Sequence, residues 1–327
     1  MFRSVQSLKV VLPALALMMI GAATATAADN QGFIYGRVTT DSGRDYTGFM
    51  RWGSEEAFWD DLFHSSKEDL PYWDEADLDD RDWRDRRERR SRIEIFGKVI
   101  ILGDGTIDGD PSRVFIARFG DIERIEVTGN EDADVFMKSG SRFAVSGYSN
   151  DVGGTVRVKD EALGEIDLDW DRIETIEFMP APRSAEPEVY RLHGVVETDA
   201  GTFEGFIQWD KEECLSSDEL DGDTVDGKVS ISMGQIRSIE RRGRSSSVVE
   251  LKDGRSLRLR DSNDVDDDNR GIMVEDPRYG RLTIPWSEFE MITFSEPGPS
   301  GRGYDAFERG KPLTGKVTDV RGTEYSG

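Results

Sequence analysis

The chain of 327 residues contains only one cysteine and two histidines, and this scarcity restricts its chemistry. Cys214 has no partner for an internal disulfide, so buried apolar side chains have to stabilise the fold. Neither His64 nor His193 stands in a serine or cysteine pattern of nucleophilic catalysis, and no Cys-x-x-Cys or phosphate-binding glycine loop occurs. The sequence therefore predicts a protein that is not an enzyme, with no catalytic residue, metal or cofactor.

Basic residues are also few: 42 lysines and arginines stand against 66 aspartates and glutamates, which leaves a net charge of −24. Such a surface repels nucleic acid and anionic lipid, so we expect neither as a partner. Hydrophobic residues make up only 36% of the chain, but seven tryptophans and 16 phenylalanines argue against disorder. The composition favours a folded, soluble protein that takes up cations or meets a basic partner.

Long apolar runs are absent except near the N-terminus. Arg3 and Lys9 precede an apolar run over residues 10–23, and small residues that suit a signal-peptidase cleavage site follow at 25–27. This order is typical of a signal peptide over residues 1–27, since the run is shorter than the ~20 residues that span a membrane. We expect export to the periplasm or the extracellular space and no membrane insertion after cleavage. A retained membrane anchor is the alternative.

The rest of the chain is a repeat. Residues 36–52 read G-x-V-x-T-D-x-G-x-x-x-x-G-F-M-x-W, and residues 194–209 repeat this pattern with one residue fewer in the turn. The block Ser-Asn-Asp-Val at 149–152 recurs at 262–265. Matching tryptophans then follow in both copies. The predicted organisation is a signal peptide at 1–27, copy A at 28–180, a proline-rich linker at 181–189, copy B at 190–295, and a linker with an incomplete third repeat at 296–327.

Each copy divides again into two similar parts. Apolar residues alternate through Leu168, continue at Trp170 and Ile173 with a period of three, and end at Ile176, which predicts a strand, one tight helical turn and a strand. A hairpin precedes each such segment, as at Asp253-Gly254. This pattern resembles small β-barrels of the SH3 or Sm type. The resemblance implies an all-β fold with four small barrels arranged as two pairs.

Copy A contains a charged insertion, predicted over residues 60–92, where copy B has a short loop. Acid-to-arginine spacings of four residues favour a helix over about 75–92. Tryptophan and arginine together are common interface anchors, so the insertion is also a candidate docking element. The residues that we expect to make contacts are Trp59, directly before the insertion, and Trp73, Trp83, Arg84 and Arg87 within it.

Two further features are candidate ligand sites. Trp52 and Trp209 are followed by acid pairs that include Glu55 and Glu212, an arrangement suited to a sugar or a cation; in the alternative interpretation the tryptophans lie in the core and the acids cap a turn. The Asn-Asp pairs 150–151 and 263–264 predict turns. Acidic loops at 218–226 and 264–268 have oxygen ligands for calcium but not the EF-hand order, so calcium binding stays open.

Residues 315–327 begin the repeat a third time. A single turn-forming segment cannot bury a core, so this piece is expected either to be truncated or to pair as a strand with another module or molecule. Together these features predict an exported, non-enzymatic interaction or scaffold protein of the cell envelope, whose partner is a protein or an envelope glycan. The alternatives are a carbohydrate- or cell-wall-binding module and a carboxylate-dependent hydrolase.

Overall fold

The computed structural model describes residues 32–67, 92–95, 98–101, 114–147, 151–295, 301–307 and 314–327. Antiparallel strands dominate this part of the chain, and the helical segments described in it are single 3-10 turns of three residues. No helix within these ranges has the length and apolar character that crossing a membrane requires. The all-β prediction is confirmed. The signal-peptide prediction for residues 1–27 lies outside the described residues.

Twenty-four strands are present in the described chain. Those up to residue 178 are β1 (Tyr35–Thr40), β2 (Asp45–Trp52), β3 (Leu62–Lys67), β4 (Arg92–Ile95), β5 (Lys98–Ile101), β6 (Val114–Arg118), β7 (Ile122–Gly129), β8 (Asp132–Met137), β9 (Arg142–Ser146), β10 (Val156–Asp160), β11 (Gly164–Leu168) and β12 (Ile173–Phe178). The later ones are β13 (His193–Thr198), β14 (Gly201–Gln208), β15 (Glu219–Thr224), β16 (Gly227–Ser232), β17 (Ile236–Arg241), β18 (Ser246–Leu251), β19 (Ser256–Arg260), β20 (Ile272–Asp276), β21 (Gly280–Ile284), β22 (Phe289–Phe294), β23 (Lys316–Thr318) and β24 (Glu324–Ser326).

Local patterns in the sequence placed several of these elements correctly. The hairpin predicted at Asp253-Gly254 joins β18 to β19, and Gly254 has a φ of +89°, which a glycine adopts without strain. The predicted strand, tight turn and strand are β11, a 3-10 turn at Trp170–Arg172 and β12. The same turn recurs at Phe119–Asp121 and Met233–Gln235. These predictions are confirmed.

The strands of copy A form one ten-stranded sheet, the first sheet, in the order β11-β10-β2-β1-β12-β7-β8-β9-β3-β6. It consists of two five-stranded halves that meet where β12 pairs with β7. One half, made of β1, β2 and β10–β12, is split in the sequence: its early hairpin β1–β2 pairs with the late strands β12 and β10. The other half is continuous apart from the insertion, because β3 and β6–β9 follow one another in the chain and pair among themselves. This continuous half lies in the sequence between β2 and β10 of the split half.

Copy B repeats this arrangement in the second sheet, with β15–β19 as its continuous half. Its order runs β16-β15-β19-β18-β17-β22-β13-β14-β20-β21, with β17 and β22 meeting in the middle as β7 and β12 do. The second sheet continues into β5 and β4, which come from the copy A insertion, through one residue pair between Thr283 and Ile101. The correspondence between the copies thus extends from their sequences to their strand pairing.

Glycines let β2 approach β10 closely, and β14 approach β20. A Cβ atom on Gly48 of β2 would lie 1.8 Å from the carbonyl oxygen of Lys159, and one on Gly205 of β14 would lie 2.0 Å from that of Glu275. No side chain fits in such a space. This contact explains why the Gly-Phe pair of the repeat occurs in both copies.

Tryptophans form the centre of each core. Trp170 and Trp286 are 2% and 4% exposed and so lie in the core. Trp170 packs edge-on against Trp52 at 6.3 Å between ring centroids, and Trp286 packs against Trp209 at 6.1 Å. Burying such rings is a large favourable contribution to folding.

The predicted start of the insertion was wrong. Residues 62–67 form β3, which pairs with β6 as β15 pairs with β16 in copy B, so the extra segment lies between Lys67 and Val114. Only one apolar side chain of β3, Phe63, points into the core, and the polar Ser65 takes the next buried position, so the sequence shows no apolar alternation here. Residue 92, predicted as the helix end, belongs to β4. The rest of the predicted helix over 75–92 lies outside the described residues.

Candidate functional site

The turn after β2, and its counterpart after β14, holds a buried tryptophan beside a buried aspartate. The indole N–H of Trp52 donates to the backbone oxygen of Asp151 at 2.7 Å, and that of Trp209 donates to Asp264 at 3.0 Å. Both tryptophans are 0% exposed. Their rings therefore offer no face to a ligand, and they take the core position that the alternative interpretation gave them.

The aspartates tie the next strand to this turn. Asp151 accepts the backbone N–H of His64 at 2.6 Å, and Asp264 accepts that of Asp221 at 2.7 Å. Because the two bonds are equivalent, His64 in copy A occupies the place of Asp221 in copy B.

In copy A the turn brings three side chains together. Glu56, His64 and Asp151 each place a ligand-type atom within 4.8 Å of the others. Burial, together with the carboxylates of Asp151 and Asp61, raises the pKa of Glu56 well above its usual value. Sequence analysis missed this cluster, since its members lie in three separate segments.

In copy B the corresponding carboxylates are engaged differently. Burial, reinforced by the nearby Asp264, raises the pKa of Glu213 to about 9. Burial also raises the pKa of Asp264 to about 6. The carboxylate of Asp221 accepts the hydroxyl of Ser230. A buried glutamate after the tryptophan is thus common to both copies, while the three-membered cluster belongs to copy A.

A buried arginine joins the two copies. Arg191 lies just before β13, and its guanidinium pairs with Asp60 at 2.8 Å and lies 3.7 Å from Asp61. It stacks between the rings of Phe58 and Phe206, each 4.1 Å away. Burial alone would raise the pKa of Asp60, but the Arg191 guanidinium lowers it below its usual value. Paired charge and stacking together hold copy A against copy B.

Further contacts complete this junction. Arg51 forms a bidentate ion pair with Asp218 at 2.6 and 2.9 Å, and Ser54 donates to Glu212 at 2.9 Å. The Cys214 thiol donates to the carbonyl of Glu55 at 3.5 Å. A small apolar cluster lies between these polar contacts and consists of Phe33, Ala57, Phe58, Cys214 and Leu215. Glu55 and Glu212, predicted as ligand contacts, therefore take part in the junction.

A cleft of about 470 Å³ opens beside the junction, and its lining includes Asp60, Glu275, Arg281 and Arg302. Its charges are largely neutralised by one another. Glu275 pairs with Arg281, and Arg281 lies 3.5 Å from Asp61. Two carboxylates of the lining, Asp60 and Glu275, are thus held in ion pairs with Arg191 and Arg281.

The segment 301–307 returns to the first sheet, which the sequence did not predict. The Tyr304 hydroxyl donates to the carbonyl of Ile122 at 2.9 Å, and Lys138 donates to the carbonyls of Tyr304 and Phe307 at 2.6 and 3.0 Å. Tyr304 and Phe307 are 8% and 2% exposed. The tail is thus part of the copy A core.

Tyr190 fills the equivalent place in copy B. Its hydroxyl lies 3.4 Å from the carbonyl of Gly234 and accepts from Lys252 at 3.0 Å. The backbone position of Tyr190 corresponds to Gly32, because the two carbonyls accept the N–H groups of Ser216 and Trp59 respectively. Glycine at position 32 leaves room for the tail. The sequence signal for this contact was that copy A has Gly32 at the position where copy B has Tyr190.

The other predicted contact residues are distributed as follows. Trp59 is 1% exposed and packs 4.6 Å from Tyr304, so it belongs to the core. In the predicted calcium loops, Asp218 pairs with Arg51 and Asp267 with Arg244. Four residues lie outside the described part of the chain: Trp73, Trp83, Arg84 and Arg87.

Comparison of the chain with protein-family models, with curated proteins and with solved structures finds no match.

Proposed function

We propose that the chain is an exported, non-enzymatic interaction protein in which paired SH3- or Sm-like barrels form a rigid scaffold and residues 68–113 form the contact element. Strand order supports the barrel part of this proposal. Each five-stranded half joins a hairpin to three further strands, and a tight turn separates the last two of them, as between β11 and β12. Export is supported by the charged and apolar pattern of residues 1–27.

One observation supports residues 68–113 as the contact element. In copy B, β15 and β16 are joined by the two residues Val225 and Asp226, whereas in copy A the equivalent strands are joined by residues 68–113. The sheet does not require this segment, since copy B forms the same pairing without it. Long insertions in compact domains are commonly functional. The tryptophans and arginines within it suit a protein partner with an acidic surface.

The glycan alternative has less support. It relied on the rings of Trp52 and Trp209, and both are buried. Its acidic member Glu212 is paired with Arg270 at 2.6 Å and with Ser54. The Cys214 thiol does not support a hydrolase either. Burial raises the pKa of Cys214 well above its usual value, which disfavours the reactive thiolate form.

The test is to replace residues 68–113 by the Val-Asp turn of copy B. We expect the melting temperature of the variant to stay within a few degrees of wild type, because the insertion pairs with the second sheet through one residue pair. Crosslinking to envelope extract followed by mass spectrometry should identify a partner for the intact chain and none for the variant. Capture should weaken at high salt, since the arginines would supply the attraction.

A matched control changes Val225-Asp226 to Asn-Gly, another two-residue hairpin turn, in the intact chain. This variant should keep both stability and partner capture. Capture of the same partner by the shortened variant would refute the insertion as the contact element. Unfolding of the shortened variant would show that the segment is structural.

A further inference from the structure

Three polar side chains of the kinds that bind transition metals meet inside copy A. Glu56 lies in the turn after β2, His64 lies in β3, and Asp151 precedes β10. Their ligand-type atoms all lie within 4.8 Å of one another. The pairing of β2 with β10 explains the meeting, because it brings together the points where the chain enters β3 and leaves β9.

The distances suit a small ion. His64 Nδ1 lies 3.5 Å from Asp151 Oδ2. Ligand atoms around a tetrahedral zinc ion, with bonds of about 2.1 Å, are roughly 3.4 Å apart. The imidazole and the Asp151 carboxylate therefore already have the required spacing, and Glu56 has to approach them by at most about 1.4 Å.

A second observation points to a ligand. Glu56 Oε2 is shielded from solvent and has no hydrogen-bond partner within the described structure. A buried carboxylate oxygen without a donor is unfavourable unless a proton or a cation neutralises it. The guanidinium of Arg281, whose charge reaches Glu56, is already paired with Glu275. Neutralisation by a bound ion would satisfy this oxygen.

Copy B provides an internal comparison. Asp221 replaces His64, and its carboxylate is bonded to Ser230. Among the described residues, three potential ligands come this close together at the copy A position and not at the copy B one. The imidazole is thus what distinguishes the two pockets.

We propose that Glu56, His64 and Asp151 bind one divalent transition-metal ion, with zinc as the best fit. Imidazole favours zinc over magnesium or calcium, and two carboxylates with one imidazole make a three-ligand site. Such a site leaves a fourth position for water or another ligand. The ion would link β2, β3 and the segment before β10, and so would fasten the continuous half to the split one.

The experiment titrates zinc into the full chain, purified without a histidine tag and stripped with chelator. Calorimetry should show one site per chain, and cobalt should give the visible absorption of a tetrahedral ion. At zinc concentrations 100 times the dissociation constant, the melting temperature should rise by roughly 5–10 °C. The variant His64→Asp, which places the copy B residue in copy A, should lose at least tenfold in affinity and the cobalt spectrum.

Glu213→Gln is the matched control, since it alters the equivalent buried glutamate of copy B, and it should bind zinc as wild type does. Glu56→Gln provides a second test of the ligand set and should weaken binding as His64→Asp does. Equal binding by wild type and His64→Asp would show diffuse binding to the acidic surface and overturn the proposal. Loss of binding in Glu213→Gln would overturn it as well.

Discussion

Copy A and copy B share a strand order but differ at three equivalent places. A two-residue turn in copy B corresponds to residues 68–113 in copy A. Tyr190 of copy B corresponds to a gap at Gly32, filled by Tyr304 from the tail. Asp221 corresponds to His64. Copy B thus completes its core with its own residues, whereas copy A needs the distant segment 301–307. Copy A also contains the insertion and the His64 cluster, which are the candidate sites of function.

The comparison separates what the scaffold needs from what one copy adds. The buried tryptophan, the glutamate four residues later and the aspartate that binds the next strand occur in both copies, so they serve the fold. The insertion and the His64 cluster occur in one copy, so the fold does not need them. Function is best sought in these unshared features.

The largest effect is expected from removing the tail side chains. The double variant Tyr304→Ala and Phe307→Ala empties the space that Tyr190 fills in copy B. Replacing one buried phenylalanine by alanine lowers the free energy of unfolding by about 3–5 kcal/mol, and the pair should exceed this. Hydrogen exchange should show loss of protection in β7 and β12, with β17 and β22 much less affected.

Tyr325→Ala is the control for this prediction, because Tyr325 is 58% exposed in the terminal hairpin of β23 and β24. It should leave the protection pattern unchanged. If the double variant is as stable as Tyr325→Ala, the tail does not complete the copy A core, and the two copies are equally self-contained.

The second effect concerns the junction between the copies. Phe33 occupies in copy A the place of Arg191 in copy B, as their equivalent bridges to Phe58 and Leu215 show. Arg191→Phe would therefore insert the copy A residue but leave the carboxylates of Asp60 and Asp61 without their main cation. Removing one partner of a buried ion pair lowers stability by about 3–5 kcal/mol, which urea denaturation at pH 7 would measure.

Arg237→Ala serves as the control, because Arg237 pairs with Glu250 at 3.1 Å on the surface and both side chains are about half exposed. Surface pairs contribute at most about 1 kcal/mol. A loss for Arg191→Phe as small as that for Arg237→Ala would mean that the junction charges are well solvated and that the copies are joined by apolar contact alone.

Sequence periodicity sufficed for elements whose partners are neighbours. The hairpin at Asp253-Gly254 and the turn at Trp170 follow from alternation and a glycine within a few residues. The pairing of β2 with β10 could not be predicted in the same way, because the whole continuous half lies between these two strands in the sequence. Local residues in one strand do not identify a partner so far along the chain.

The candidate site was harder to predict for a related reason. Glu56 was visible as an acid after a tryptophan, but His64 lay in β3, whose sequence shows no apolar alternation, and Asp151 was interpreted only as a turn residue. Their proximity depends on the pairing of β2 with β10, which are far apart in the sequence. The tail was hidden as well, since Tyr304 replaces a residue that precedes β13 in the other copy and has no local link to copy A.

The smallest effect is a pH dependence that compares the two buried glutamates. The pKa of Glu213 is about 9 in the folded protein, against about 4.3 in an unfolded chain. Between these values the folded protein keeps a proton that the unfolded chain releases. Its free energy of unfolding therefore falls as pH rises, by up to about 1.4 kcal/mol per pH unit from this group. Glu213→Gln should remove that slope and gain stability relative to wild type from pH 5 to pH 8.

Urea denaturation in chelator at several pH values would measure this difference, with the exposed Glu174→Gln as the control that leaves the slope unchanged. Glu56→Gln extends the comparison to copy A, where burial also raises the pKa of the glutamate. In chelator the two variants should both flatten the pH dependence, because burial raises the pKa of the glutamate in both pockets. With zinc present, wild type should regain stability at pH 8 and Glu56→Gln should not, because only an ionised Glu56 binds the metal. Curves for Glu213→Gln that run parallel to wild type would mean that this glutamate is ionised in the fold, and the shared buried acid would then not be a feature of the scaffold.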